Sequence, residues 1–245
     1  MELPKIAIIG YGKMGREIEY LAHESNFDVT DIFDIDKPIN PKRSYDFDVA
    51  IDFTTPSSVI SNVELLASMG KNIVLGTTGW YDKTDEIKQI VEKYDIGLVW
   101  GSNFSVGMNI FFKITEYASK LFNKLENYDP FLYEIHHNQK KDSPSGTAIS
   151  LAEILIKNID RKEKINITNE NLQPNELSVA ASRGGYIPGT HQINFDSVAD
   201  TIQLSHIARN RSGFASGALQ AAKLIHNQKG FHNFSTLLNN LFNGL

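Results

Sequence analysis

The first hundred residues alternate short, uniformly apolar runs with amphipathic segments. A run without polar interruptions is typical of a strand that is buried on both faces of a parallel sheet. Between the runs, apolar residues recur at helical spacing, as Ile18, Leu21 and Ala22 do. Strands that alternate with helices predict an α/β fold with a doubly wound parallel sheet. The predicted strands are residues 5–9, 29–33, 48–53, 72–75 and 96–100.

The pattern changes after residue 104. Residues 107–122 have the periodicity of an amphipathic helix, whereas residues 158–175 are polar and predict a loop with at most a short strand. Residues 191–195 and 201–206 alternate apolar and polar side chains, which is typical of a sheet covered on one face only. The apolar face of the predicted helix consists of Ile110, Phe111, Ile114, Tyr117, Ala118 and Leu121.

A glycine-rich loop, Gly10-Tyr11-Gly12-Lys13-Met14-Gly15, directly follows the first predicted strand. Strand, G-x-G-x-x-G, helix, strand and acid form, in this order, the fingerprint of a Rossmann-like dinucleotide-binding domain. Asp34, at the end of the second strand, lies near the spacing of about 20 residues expected for an acid that binds the ribose. Lys37 could still receive a 2′-phosphate, so the cofactor is predicted as NADH, NADPH or both.

Small and hydroxyl-bearing residues follow three more of the predicted strands. Ligands of doubly wound sheets bind at the carboxyl ends of the strands, although such loops can also be simple connections. We predict that these loops contribute to the cofactor site. The predicted cofactor-binding residues are Gly10, Tyr11, Gly12, Lys13, Met14, Asp34, Thr54, Gly76, Thr77, Thr78, Gly101, Ser102, Asn103 and Phe104.

Residues 214–225 return to helical spacing and need an apolar partner surface, which we expect the first domain to provide. The dinucleotide-binding domain is therefore predicted to be discontinuous, with residues 1–104 and 212–245. Residues 105–211 are predicted to form an inserted α+β domain with a mixed, one-sided open sheet.

Composition limits the classes of function. With 24 basic and 29 acidic residues the formal charge is −5, which argues against a nucleic-acid partner. The chain has no cysteine, so it forms no disulfide or thiolate metal site, and we predict no metal. No apolar run approaches the roughly 18 residues that span a bilayer, and the first strand leaves no room for a signal peptide. A cytoplasmic protein with no membrane partner is predicted.

Residues 134–147, EIHHNQKKDSPSGT, join a predicted strand at 131–135 to a predicted helix at 147–157. The start of a helix offers unpaired backbone N–H groups and the positive end of a dipole, which suit an anion. A histidine beside such a cradle can transfer a proton near neutral pH. The segment therefore predicts a site that holds and protonates a small anion. The alternative is a solvated loop in which Ser143 or Ser145 is an ordinary helix N-cap.

The same segment resembles the signature of the dihydrodipicolinate reductases, a resemblance that covers essentially the whole chain. The matching residues are Glu134, Ile135, His136, His137, Lys140, Asp142, Ser145, Gly146 and Thr147. Further landmarks are the glycine loop, Asp52-Phe53-Thr54, Gly76-Thr77-Thr78-Gly79, residues 103–107, Arg183-Gly184-Gly185, Gly189-Thr190-His191 and residues 206–218. The glycine loop departs from the common pattern with Lys13 where arginine is usual, and Ile35 follows the ribose acid.

The resemblance implies that 4-hydroxy-tetrahydrodipicolinate, a small cyclic dicarboxylate, is reduced to tetrahydrodipicolinate with NADH or NADPH in lysine and diaminopimelate synthesis. It implies His136 as proton donor and Lys140 as a second catalytic group. It also implies that residues 105–211 bind substrate and form a homotetramer through the open face of their sheet. The predicted substrate-binding residues are His137, Ser145, Gly146 and Thr147, the last two through backbone N–H groups at the helix start.

Some roles stay open at this stage. Arg183 and Arg211 could each bind a carboxylate in bidentate fashion, but Arg211 suits a hinge or a cofactor contact equally well. His191 and His206 are expected to be structural. Two other functions are compatible with the first domain: an aspartate- or homoserine-type dehydrogenase, and a redox sensor that binds NAD without turnover.

Overall fold

The computed structural model describes residues 2–168 and 170–241. The chain divides into two compact units, each formed by its own set of contacts. One unit comprises Met1–Val106 together with Arg211–Leu245, and the other is Gly107–Asn210. Among the described residues, no helix combines the length and the apolar character that crossing a bilayer requires.

The helices and strands follow the predicted alternation through the first unit. Its amino-terminal part contains β1 Ile6–Ile9, α1 Lys13–Glu24, β2 Val29–Phe33, β3 Val49–Asp52, α2 Val59–Ser68, β4 Asn72–Leu75, α3 Thr84–Tyr94 and β5 Gly97–Trp100. The second unit contains α4 Val106–Phe122, β6 Asp129–His136, α5 Gly146–Asn158, β7 Lys164–Asn166, β8 Glu176–Arg183, β9 Thr190–Asp196 and β10 Thr201–Ile207. The chain then returns to the first unit with α6 Ser212–Ile225, β11 Gly230–Asn233 and α7 Phe234–Leu241.

The first unit has a six-stranded parallel sheet in the order β11-β5-β4-β3-β1-β2. Alternate residues of one strand enter different cores: Ile6 and Ile8 join one apolar cluster, and Ala7 and Ile9 join the other. Because both faces of the sheet are covered, the strands carry no polar alternation. Helix α6 packs with Ile6 and Ile8, as predicted. The doubly wound, Rossmann-like sheet is thus confirmed.

The second unit has a five-stranded mixed sheet in the order β10-β9-β6-β8-β7. Strand β6 is antiparallel to β9 and parallel to β8. One face is buried through Leu132, Val179 and Ile193, which share a core with residues of α4 and α5. On the other face Phe131 and Tyr133 stay partly exposed. The predicted mixed sheet with one open face is confirmed.

Helix α4 corrects one expectation. Of its predicted apolar face, Ile110, Ile114, Tyr117 and Leu121 are exposed by 38%, 46%, 67% and 52%, respectively. The buried face instead carries Thr115 and Ser119, with Met108 and Phe111. The hydroxyls of Thr115 and Ser119 donate to the carbonyls four residues earlier, at 2.7 and 2.6 Å. Their polar atoms are therefore satisfied inside the helix, and the small side chains can be buried.

Strand β8 and the carboxyl-terminal β11 and α7 were not predicted. Strand β8, ELSVAASR, has only two large apolar side chains among its eight residues, Leu177 and Val179, and its small residues give no clear period. It forms because β6 and β7 pair with it on its two sides. The formation of β8 therefore depends on its neighbouring strands, which the periodicity of its own sequence does not reveal.

Candidate active site

The glycine loop of the first unit packs tightly against the neighbouring backbone. Gly10 has φ +89°, and a Cβ there would lie 2.5 Å from the carbonyl oxygen of Phe53. A Cβ on Gly15 would lie 2.2 Å from the carbonyl oxygen of Gly10. Both contacts are closer than any side-chain carbon tolerates, so the turn depends on glycine.

The loop leaves the start of α1 open for an anion. Gly12 is the N-cap, no side chain caps the helix, and a Cβ on Gly12 would meet nothing within 4 Å. Lys13 is exposed and Met14 half-buried, and the Tyr11 hydroxyl contacts the Glu19 carboxylate. Uncapped N–H groups and the helix dipole fit a pyrophosphate at this position. The residues present therefore fit the dinucleotide that the loop predicts.

Asp34 lies beside this loop. The amide of Gly10 donates to the carbonyl of Phe33 at 2.9 Å, which fixes the two strand ends together. Asp34 is exposed, and its Oδ1 accepts from the Ile35 amide at 2.9 Å. The Ile35 side chain is 93% exposed. The sheet thus brings the predicted ribose acid next to the predicted pyrophosphate loop.

The loops after β3 and β4 converge on Asp52, which is fully buried. Its Oδ1 accepts from the hydroxyls of Thr54 and Thr77, at 2.7 and 2.9 Å, and its Oδ2 from Asn62 at 2.8 Å. The Thr54 amide also donates to the Thr77 hydroxyl at 2.7 Å. Burial raises the pKa of Asp52, and the hydrogen bonds from Thr54, Asn62 and Thr77 oppose that rise. Asp52 therefore holds two predicted cofactor loops in register.

The other predicted cofactor residues lie where β4 and β5 end. Thr78 and Ser102 are exposed there. Phe104 is 2% exposed and packs on the Phe234 ring with centroids 4.8 Å apart, so only its backbone can reach a ligand. A Cβ on Gly76 would collide with the Phe53 ring at 2.1 Å. Gly101 is buried, and Asn103 is half-buried with its Oδ1 accepting from the Ser105 amide. Their contact with a cofactor stays a prediction.

In the second unit a single buried carboxylate, that of Glu134, organises the predicted catalytic segment. Alternation along β6 puts Glu134 and His136 on the same buried face. The strand register places His191 of β9 opposite Glu134, and Arg183 of β8 opposite His136. Ser145, the N-cap of α5, completes the group. Three strands and one helix end thus meet at one carboxyl group.

Every contact of Glu134 comes from a donor group. Its Oε1 accepts from the Ser145 amide and from Arg183 Nη2, both at 2.9 Å. Its Oε2 accepts from the Ser145 hydroxyl and lies 3.3 Å from His136 Nδ1 and 3.4 Å from His191 Nε2. Burial alone would raise the pKa of Glu134, but the neighbouring His136 and His191 rings and the hydrogen bonds from Ser145 outweigh it and hold the pKa far below its ordinary value. Glu134 is therefore an ionised carboxylate in a buried site.

Arg183 is engaged inside the unit. Besides Glu134, its guanidinium donates to the carbonyls of Ser182 and Asp142. It therefore ties β8 to the loop that carries the predicted catalytic residues. These contacts favour a positioning role for Arg183. Arg211 lies at the start of α6 in the other unit, as its N-cap residue.

Nε2 of His136 lies beside a glycine. The His136 side chain is 9% exposed, and a Cβ on Gly189 would come within 2.9 Å of its Nε2. Gly189 has φ +157° and therefore combines an unusual backbone with a close approach. His137 follows the end of β6, half-buried, with its amide bonded to the Ile187 carbonyl at 2.8 Å.

Lys140 forms an ion pair within its own loop. Its Nζ donates to both carboxylate oxygens of Asp142, at 2.8 and 2.9 Å. The hydrogen bond from Lys140 holds the pKa of Asp142 below its ordinary value, and the Gly146 amide contributes in the same direction. The loop thus brings an ammonium group to the start of α5, where the exposed Gly146 and the half-buried Thr147 lie.

Ser145 is the N-cap of α5, accepting from the Ala148 amide at 3.2 Å. Of the two serines considered as the helix N-cap, Ser145 and not Ser143 occupies that position. Ser145 is 3% exposed, and its hydroxyl already donates a hydrogen bond to Glu134. Any part that Ser145 takes in substrate binding stays a prediction.

Glu134, His136 and His191 also have a spacing that could hold a metal ion, since one ligand atom of each lies within 4.8 Å of the others. The same carboxylate, however, accepts from the Arg183 guanidinium and from Ser145. A metal cation would have to share this carboxylate with a guanidinium cation, which like-charge repulsion disfavours. We interpret the cluster as a hydrogen-bonded network, and the expectation of no metal stays a prediction.

Sequence reasoning missed the roles of Asp52 and Glu134, and it treated His191 as structural. A signal was present for both acids. Asp52 ends an otherwise apolar strand, and Glu134 lies between the apolar side chains of Leu132 and Ile135 near the end of β6. An ionised group can be buried at such a place only if donors surround it. For Glu134 a second signal is the two-residue spacing to His136, which puts both on one face of a strand.

Glu134→Gln should change how stability depends on pH. Because the pKa of Glu134 is lowered on folding, the carboxylate stabilises the fold above its ordinary value of 4.5, and this stabilisation is lost as the pH falls below that value. The wild type should lose its advantage over the variant by about 1.4 kcal/mol per pH unit in that acid range. Urea unfolding of both proteins at several pH values measures it. A gap that does not narrow with acid would contradict the assignment of an ionised carboxylate.

Two family profiles match the chain in the expected order. The profile described as "Dihydrodipicolinate reductase, N-terminus" matches residues 4–104, and "Dihydrodipicolinate reductase, C-terminus" matches residues 107–238. Together they cover both units.

Whole-length relatives agree with the profiles. A 4-hydroxy-tetrahydrodipicolinate reductase of Christiangramia forsetii is 34% identical over 237 residues, which are 97% of this chain and 98% of the relative. One of Staphylococcus carnosus is 35% identical over 252 residues, with 96% and 100% covered. Among solved structures, dipicolinate-bound dihydrodipicolinate reductase from Paenisporosarcina sp. TG-14 has a similar fold, with a TM-score of 0.75 and 23% identity over 95% of this chain and 98% of that one. The chain belongs to the dihydrodipicolinate reductase family.

Proposed function

We propose that this protein is a 4-hydroxy-tetrahydrodipicolinate reductase that produces tetrahydrodipicolinate for lysine and diaminopimelate synthesis. The observation that carries the proposal is the group at the end of β6. There a buried histidine, His136, lies 3.3 Å from an ionised carboxylate, in the same segment as Lys140 and the start of α5. The relatives that match the whole chain carry this activity in their names.

A small dicarboxylate is the proposed substrate. The Paenisporosarcina reductase was solved with dipicolinate, a planar ring with two carboxylates. In this chain the N–H groups at the start of α5 and the Lys140 ammonium supply positive charge for one carboxylate. Lys140 forms an ion pair with Asp142, so a bound substrate carboxylate would compete with Asp142 for the ammonium group or share it. His137 lies next to this charge and is proposed to bind substrate.

The reaction needs one hydride and one proton after water has left the substrate. The reduced nicotinamide supplies the hydride when it is bound. The protein's own part is to supply the proton. His136, as imidazolium, gives its proton to the ring carbon of the enamine, a C–H bond forms, and a neutral imidazole remains. Lys140 stabilises the negative charge of the substrate next to it.

The cofactor is proposed to be held by the loop at Gly10–Met14 and by the loops that Asp52 connects. We further propose that NADH is favoured over NADPH. Asp34 suits a ribose 2′-hydroxyl, with which it can form a hydrogen bond, and its charge repels a 2′-phosphate. No guanidinium follows it, because the next residue is Ile35. Lys37 pairs with Asp34 through its backbone and is the cation that could weaken this preference.

The second unit is proposed to assemble four copies through the open face of its sheet, and the enzyme is proposed to work in the cytoplasm. Most of the side chains of this face are half-buried or exposed, whereas Asn194 is buried. Its central residues are Phe131, Tyr133, Ile135, Ser178, Ala180, Gln192, Asn194, Gln203 and Ser205, which the strand register places side by side. A sheet face of this kind can be covered by a second sheet.

His136→Gln should lower the rate of NADH oxidation with freshly made dihydrodipicolinate-synthase product by at least ~100-fold in kcat, because the proton donor is lost. Lys141→Gln is the matched control: Lys141 is an exposed cation of the same loop, and we expect near wild-type turnover. Wild-type rates in the His136 variant would refute its role. An inactive wild type would refute the proposed function.

Asp34→Asn should raise kcat/KM for NADPH relative to NADH by about tenfold, since removing one nearby charge is worth roughly 1.4 kcal/mol. The assay compares both nicotinamides at equal substrate. Asp36→Asn changes a neighbouring exposed carboxylate and should leave the ratio almost unchanged. An unaltered ratio in the Asp34 variant would show that this carboxylate does not select the cofactor.

Tyr133→Glu should break the assembly, because it would place four charges in the proposed sheet interface, where they would be desolvated. Light scattering after size-exclusion chromatography should give four times the chain mass for the wild type and a smaller mass for the variant. Tyr20→Glu, on α1 at a residue that is 62% exposed, is the control that keeps the mass. A wild type that runs as a monomer excludes the tetramer.

A further inference from the structure

The hydrogen-bond accounting around Glu134 decides which nitrogen of His136 carries a proton. A carboxylate offers about four lone-pair sites, two on each oxygen. Oε1 accepts from the Ser145 amide and from Arg183, which fills its two sites. Oε2 accepts from the Ser145 hydroxyl, which leaves one site. Two ring nitrogens compete for that site, His136 Nδ1 at 3.3 Å and His191 Nε2 at 3.4 Å.

Among the described residues, His191 Nε2 has a second possible acceptor nearby, whereas His136 Nδ1 has only Glu134 within reach. His191 Nε2 lies 3.3 Å from the Ser145 hydroxyl oxygen. That oxygen gives its own hydrogen to Glu134 and can accept two: one from the Ala148 amide at 3.2 Å and one from His191. Every lone pair of the Ser145 hydroxyl is then used. The last site on Glu134 Oε2 is left for His136 Nδ1, whose contact with this carboxylate still falls short of a full hydrogen bond.

The opposite tautomer would be costly. If His136 Nδ1 carried no proton, its lone pair would face the lone pair of a fully buried, ionised carboxylate, in a site with little water to screen the repulsion. A long contact between catalytic groups in the absence of substrate is common and shortens when the reacting complex forms. Of the two neutral tautomers of His136, the one that presents a donor rather than a lone pair to this carboxylate carries its proton on Nδ1.

We propose that Glu134 is a positioning residue that keeps the proton of the neutral His136 imidazole on Nδ1, so that Nε2 is the atom that delivers a proton to the substrate. This inference rests on the proposed function, in which His136 is the donor. In the protonated ring both nitrogens carry hydrogen. The Nε2–H bond breaks, the electron pair of the enamine forms the new C–H bond, and the Nδ1–H imidazole that remains is held by Glu134. A carboxylate that orients a catalytic imidazole in this way also stabilises its charged form.

The surroundings of Nε2 agree with this assignment. It is the nitrogen beside Gly189, where a Cβ would come within 2.9 Å. Nδ1, by contrast, is enclosed by the buried Glu134 carboxylate and has no room for a ligand on that side. The His191 ring contacts the His136 ring edge-on, with centroids 5.2 Å apart.

Nitrogen-15 NMR of histidine-labelled protein tests the proposal directly. Spectra are recorded at about pH 9, where an imidazole of ordinary pKa is neutral, and His136 is assigned by the signals that disappear in His136→Gln. We expect the Nδ1–H tautomer in the wild type. In Glu134→Gln the Nε2–H tautomer should appear as a major species. If neutral His136 carries its proton on Nε2 in the wild type, the proposal is overturned. This result needs no variant, so the proposal can be tested even if Glu134→Gln does not fold.

Ser145→Ala is the matched control. It removes the N-cap and one hydrogen bond to Glu134, so it loosens the same network, but it keeps the carboxylate. We expect this variant to retain the Nδ1–H tautomer. If it loses the tautomer to the same extent as Glu134→Gln, general loosening rather than the carboxylate is responsible, and the proposal fails.

Kinetics provide the second readout. Glu134→Gln should lower kcat by roughly 10- to 100-fold while the KM for NADH changes by less than about twofold, because the cofactor is bound by other residues. Glu134→Asp, which keeps the charge, should recover part of kcat. Equal losses in both variants would mean that shape and not charge matters, and would overturn the proposal.

The proposed function and the proposed position of the His136 proton can be disproved separately. A wild type that has the Nδ1–H tautomer but does not turn over dihydrodipicolinate-synthase product disproves the proposed function and leaves the assignment of the proton in place. A wild type that turns over but carries the proton on Nε2 keeps the function and removes Glu134 from it.

Discussion

The burial of one negative charge, that of Glu134, governs the organisation of the second unit. A carboxylate taken out of water must be surrounded by donors, or it becomes neutral. Here the donors come from β8, from β9 and from the start of α5, while β6 supplies the acid itself. The strand register and the position of the helix are therefore coupled to the place where His136, the proposed proton donor, lies. A rigid support of this kind is what a proton donor requires.

The first unit uses the same device. Asp52 is buried at the end of β3, and its oxygens accept from Thr54, Thr77 and Asn62. The loops it holds belong to the proposed cofactor site. In each unit a buried acid at or near the end of a strand fixes the loops that follow, so the residues that would touch ligands are held by residues that do not. Ligand loops on a rigid scaffold are the common arrangement in α/β proteins.

The periodicity of the chain was sufficient to predict those helices and strands whose apolar residues are the buried ones. The central strands of the parallel sheet, such as β1 and β5, read as apolar runs because both of their faces are covered. The glycine loop was identified because its turn tolerates no side chain at Gly10 and Gly15. Helix α4 was placed correctly, but its buried face was not, since Thr115 and Ser119 satisfy their hydroxyls internally. Strand β8 was missed, because its stability comes from β6 and β7.

The sequence alone determined the Rossmann-like sheet, the candidate donor His136, the cation Lys140 and the family, since all of these depend on residue types at short, fixed spacings. Only the tertiary structure decided what Glu134, Arg183 and His191 do. They lie far apart along the chain and meet through strand pairing. The donors and acceptors of a buried charge can be counted only after the fold has brought them together, and it is this count that assigns the proton of His136.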